Sequence, residues 1–138
     1  MSAAAPFRYG IIGCGVMGLE HIRNIALIEH AKVTAIADTS PKMRHLAVKT
    51  LGEEAAAACT MYEDYAELLA DPNVDGFIIA TPNCHHITVL RDAIPVQKHI
   101  LCEKPLCTTM QDINEVRGRR EGGWQQHCER EGLGGFRV

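Results

Sequence analysis

The 138-residue chain lacks any C-x-x-C pair, although it holds six cysteines, at positions 14, 59, 84, 102, 107 and 128. That spacing argues against the usual structural zinc frameworks. Long apolar runs are missing too, and none approaches the ~20 residues that a membrane-spanning helix needs. The opening residues, Met1–Pro6, show none of the regions of a secretory leader. A cytoplasmic protein with reduced thiols is therefore expected. There is no basic excess: the net charge is −3, which argues against nucleic acid or a membrane surface as partner. No internal repeat is present. The run Cys84-His85-His86 has metal-binding residue types but no matching second half, so no metal is expected.

What is there reads as globular, with 46% hydrophobic and 22% charged residues and the length of one domain. Short apolar runs alternate with helix-like stretches, the pattern of a parallel α/β sheet. The predicted strands are Arg8–Gly13, Lys32–Asp38, a weaker one near Ala58–Met61, Val74–Ala80 and Lys98–Cys102. Between them, helices are predicted over Val16–Ile28, from Ser40-Pro41 to about Leu51, over Tyr65–Ala70 and over residues 84–94. Pro95 must end or distort the last of these. A final helix starts near Thr109, where Thr109-x-x-Asp112 has capping-box spacing, and runs at least to Val116.

Between the first strand and its helix lies Gly13-Cys14-Gly15-Val16-Met17-Gly18, a G-x-G-x-x-G loop. The pattern alone is weak; its place after a strand and before a helix gives it force. Gly13 would permit the tight turn, Gly15 would let a pyrophosphate approach the backbone, and Gly18 would let helix and strand pack closely. The free amides and positive dipole end of the helix would then hold the phosphates. Asp38 ends the second strand, 20 residues after Gly18, where a carboxylate can accept from both hydroxyls of an adenine ribose. The same carboxylate repels a 2′-phosphate, so NAD is favoured, with NADP as the alternative. Arg44 would weaken that preference by folding back; the solvent face of its helix is the expected place. S-adenosylmethionine sites also use glycine loops, and the third glycine favours the dinucleotide.

Two further motifs fall at the carboxyl ends of strands four and five: Thr81-Pro82-Asn83-Cys84-His85-His86 and Glu103-Lys104-Pro105. Ligands of open α/β sheets sit beyond those ends. With the glycine loop, His21, Asp38 and K-H-I-L-C-E-K-P at 98–105, they make residues 7–117 resemble the glucose–fructose oxidoreductase/inositol dehydrogenase (Gfo/Idh/MocA-like) family. The resemblance implies a Rossmann-type, doubly wound, mainly parallel sheet in the order 3-2-1-4-5. It implies that Thr81, Pro82, Asn83 and His86 flank the nicotinamide, that Glu103 sits by its ribose, and that Lys104 points toward a sugar- or polyol-like substrate as the catalytic lysine. The peptide before its proline is often cis in such enzymes. On the residues alone, burial could perturb Lys104, or Glu103-Lys104 could be a surface pair. His85 is expected to face solvent, and His21 to pack under the loop. The chain departs from the family at Gln97, where glycine is usual, and at Pro95.

Domain 1–117 is therefore expected to bind a dinucleotide, and 118–138 to be an atypical tail with 6 of the 12 glycines and too few large apolar residues for a second core. Such a tail would be a truncated, spliced or frameshifted ending, a frayed helix with a stub of strand, or a flexible end on a stand-alone module. The family's substrate domain has no room here, so catalysis by this chain alone is not expected. A polyol substrate would need that second domain. A non-catalytic or redox-sensing module working through a partner is the rival reading, and self-association is left open.

Overall fold

The computed structural model describes residues 5–120, so the tail expected from Gly118 lies almost wholly outside the described residues. Strands β1 (Phe7–Ile12), β2 (Ala31–Ala37), β3 (Thr60–Tyr62), β4 (Gly76–Ile79) and β5 (His99–Cys102) form one parallel sheet. Their order is β3-β2-β1-β4-β5, as expected. Helices α1 (Val16–Ile25) and α2 (Pro41–Leu51) cover one face. On the other lie α4 (Tyr65–Leu69), α5 (His86–Ala93) and α6 (Met110–Arg119). A short helix, α3 (Glu53–Ala57), follows α2 across Gly52 and has no counterpart in the sequence prediction.

A parallel sheet covered on both faces needs apolar residues at successive positions. Ile11, Ile36 and Ile78 pack with Leu19, Ile22 and Ile25 of α1, whereas Ile12, Ala37 and Ile79 pack with α4 and α5. Full burial of each such isoleucine stabilises by about 1.5–3 kcal/mol. The alternation slips once in β2. Tyr9 pairs with Val33 but Gly10 with Ala35, so Thr34 is an unpaired extra residue. Its buried hydroxyl donates to the Asn73 carbonyl at 2.9 Å.

Several ends differ from the sequence prediction. Leu27 and Ile28 bond back to Asn24 and Ile25 in tight three-residue turns, so α1 stops at Ile25 and both side chains are exposed. The helix expected over 84–94 is divided: a 3₁₀ turn at Asn83–His85, then α5, then a second 3₁₀ turn at Ile94–Val96 around Pro95. Gln97 closes that turn in the left-handed region, φ 59°, which explains why glycine suits the position. Caps hold elsewhere: Ser40 Oγ accepts from the Met43 amide, Asp64 from Ala66, and Thr109 from Asp112.

Candidate functional site

The glycine loop leaves β1 at its carboxyl end. Gly13 has φ 94°, and a β-carbon on it would stand 2.7 Å from the Ala80 carbonyl oxygen. At Gly18 the same atom would lie 2.0 Å from the Gly13 oxygen; at Gly15 it would meet none of the described residues within 4 Å. Thus Gly13 and Gly18 are required by the fold, while Gly15 borders open space. Gly15 also caps α1 without a side chain, so no side chain of the cap residue takes the first-turn amides. Val16 and Met17 are exposed beside it.

Asp38 serves the loop as well as the cleft. One carboxylate oxygen accepts from the Cys14 amide and the other from the Ser40 amide, both at 2.8 Å. Each oxygen keeps a second lone pair. Cys14 consequently presents neither amide nor thiol to a ligand. Burial first, then the Asp38 charge, pushes its thiol up to about 12, so it is an inert small hydrophobe.

Arg44 is not on the solvent face of α2. Its guanidinium folds back, donating to the Asp38 carbonyl at 2.6 Å and lying 3.9 Å from Glu63. The side chain reaches that strand-end carbonyl within two turns, which is the placement that would weaken the preference for NAD over NADP set by the Asp38 carboxylate.

At the end of β4, Thr81 and Pro82 line the cleft, and the Thr81 hydroxyl is buried without a hydrogen-bond partner among the described residues. Asn83 is exposed and opens the 3₁₀ turn. His85 is exposed, as expected, and borders the cleft, whereas His86, expected beside the nicotinamide, is fully buried. His86 Nδ1 lies 2.8 Å from the Pro105 carbonyl oxygen and Nε2 2.9 Å from that of Thr81. With both nitrogens taken and no exposed surface, it offers a ligand no direct contact, and it ties the loops after β4 and β5 together.

Glu103 follows β5, its amide bonded to the Ile79 carbonyl. Its carboxylate lies 2.6 Å from His21 Nε2 on α1. That hydrogen bond, aided by the Lys104 amide, holds its carboxyl below the usual carboxylate range. Lys104 is exposed, and the Lys104–Pro105 peptide is cis, as the resemblance implied.

These ends enclose a cleft of about 610 Å³ that runs past Gly15, Asp38 and Thr81. Its volume falls in the range of small-ligand sites. Asn83, His86, Glu103 and Lys104 do not line it, whereas Met43, Glu63, Tyr65 and Thr88 do and were missed. For Glu63 and Tyr65 the available signal was their place just beyond a strand's carboxyl end. The open backbone at Gly15, the uncapped first turn, the spare lone pairs of Asp38 and the partnerless Thr81 hydroxyl all fit a dinucleotide.

A sheet in this order, crossed at the β1/β4 switch point by a cleft over a glycine loop, defines a dinucleotide-binding Rossmann module. The chain belongs to the Gfo/Idh/MocA oxidoreductase family: residues 7–120 match the family described as "Oxidoreductase family, NAD-binding Rossmann fold". Inositol 2-dehydrogenase 2 of Paenarthrobacter aurescens is 36% identical over 115 residues, covering 80% of this chain and 32% of that protein. Myo-inositol 2-dehydrogenase of Thermotoga maritima is 34% identical over 110 residues, covering 79% and 31%. Among solved structures, the myo-inositol dehydrogenase of Lactobacillus casei in complex with NAD(H) and myo-inositol superposes with a TM-score of 0.77 at 27% identity, covering 85% of this chain and 34% of that one. The chain thus spans about a third of the length of these relatives.

Proposed function

We propose that this chain binds NAD in the cleft and supplies the cofactor half of a hydride-transferring site for a polyol such as an inositol. The observation that carries the reading is Gly15, where the backbone lies open in front of the uncapped first turn of α1. There the amides would hold the pyrophosphate, between Gly13 and Gly18. Asp38 would accept from the adenine ribose hydroxyls with its spare lone pairs, and the partnerless Thr81 hydroxyl, with Pro82 and Asn83, would meet the nicotinamide half. Bound NAD supplies the hydride acceptor; Glu103 would stand by its ribose, and the exposed Lys104 would hold a substrate hydroxyl. Relatives named as inositol dehydrogenases support the substrate class. The remaining walls of a substrate pocket would come from a further domain, and residues 1–117 would be the cofactor domain. The five described cysteines are all free, which suits the cytoplasm.

Asp38→Ala tests the reading. The change also releases the Cys14 and Ser40 amides, so it loosens the loop for every dinucleotide, and the ratio is the readout. Titrations should show NADH affinity falling at least tenfold more than NADPH affinity. Equal losses would mean that the carboxylate is not on the ribose.

A further inference from the structure

Two histidines hold the Glu103-Lys104-Pro105 segment, one on each side of the lysine. On one flank His21 reaches from α1 to the Glu103 carboxylate at 2.6 Å. On the other the buried His86 ring lies 2.8 Å from the Pro105 carbonyl and 2.9 Å from that of Thr81. Carbonyl oxygens only accept, so which of the two contacts the ring donates to depends on its tautomer. Glu103 is a junction in this arrangement. Its carboxylate meets the His21 ring and the backbone amide of Lys104, and it attracts the Lys104 ammonium.

The consequence depends on which half of the cofactor lies here. Asp38, at the end of β2, is on the other side of β1 from β4 and β5. A dinucleotide with its adenine ribose at Asp38 and its pyrophosphate over Gly15 must extend its nicotinamide half toward the ends of β4 and β5. The Glu103–Pro105 segment stands there. His21 sits on the helix whose amino end faces the pyrophosphate, so it links the phosphate loop to the nicotinamide side in one contact.

We infer that His21 is a positioning residue for the nicotinamide half of the site, acting through Glu103 on the backbone at Lys104, while His86 fixes the opposite flank through Pro105 and Thr81. The inference rests on the NAD-binding reading above and goes beyond it, because His21 does not line the cleft and would touch no cofactor.

A merely structural role would weaken every ligand of the cleft together. NADH and ADP separate the cases, since ADP fills only the adenine, ribose and phosphate positions. His21 is part-exposed, so His21→Leu removes the contact to Glu103 without opening a buried cavity, and His21→Gln retains a donor for Glu103. In titrations of the 138-residue chain, His21→Leu should weaken NADH about tenfold and leave ADP within about twofold. His21→Gln should recover NADH affinity to within about threefold of the unaltered chain. Unchanged NADH affinity in His21→Leu, or equal losses of NADH and ADP, would overturn the inference while NAD binding stood. Failure of the unaltered chain to bind either ligand would overturn the NAD-binding reading and this inference with it.

Discussion

A β-carbon at Gly18 would stand 2.0 Å from the Gly13 carbonyl oxygen, while one at Gly15 would meet none of the described residues within 4 Å. Backbone cannot yield such a distance cheaply, so Gly18→Ala should cost about 3 kcal/mol or more of stability, read as a lower urea midpoint. Gly15→Ala should leave the midpoint within about 0.5 kcal/mol of the original and weaken NADH at least tenfold, because the methyl would occupy the phosphate's space. These glycines were legible in the sequence because the motif encodes backbone geometry. Side-chain directions were not. Arg44 folds back onto the Asp38 carbonyl, and His86 turns inward to the Thr81 carbonyl and to that of Pro105 beyond the next strand. His86 was read as a ligand contact because its position in the motif says nothing about which way its ring points.

Strands and helices were legible wherever apolar residues recur with a clear period, as in β1, β2, β4 and α1. Boundaries failed where the backbone takes local turns that periodicity does not register: the tight turns after Ile25, the extra residue Thr34 in β2, and the two 3₁₀ turns flanking α5. Gln97 carries a cost of this kind, since a residue with a β-carbon is disfavoured at φ 59°. Gln97→Gly should therefore raise stability by about 1 kcal/mol despite its looser unfolded chain, measurable as a higher Tm. The α5–α6 pair has a different signature. Hydrogen bonds from Arg91 and then Arg119 lower the Glu115 carboxyl to about 2. Because its folded value lies below the ordinary one, this contribution is complete above about pH 4.3 and lost as pH falls toward 2. Glu115→Gln should flatten the fall in stability across that window and lower stability at neutral pH, as read by urea unfolding at each pH.

For the whole molecule, the alternation of strands and helices predicted the layers and the family resemblance predicted the strand order. Both agree because right-handed crossovers between parallel strands leave few arrangements. The cleft then follows from topology, since β1 and β4 are neighbours whose connections leave in opposite directions along the sheet. What could not be read from the sequence is how the strand ends are laced together: Asp38 to the glycine loop, His21 to Glu103, His86 to Thr81 and Pro105. All but the His86–Thr81 contact join separate elements, and no local pattern encodes them. The central claim is that this laced cleft holds NAD, and thermal melting of the 138-residue chain with and without NADH tests it most directly. At 100 times its dissociation constant a ligand of the folded state adds about 2.7 kcal/mol, so a cooperative melt should move up by roughly 8 °C. A melt that does not move at millimolar NADH would contradict the account.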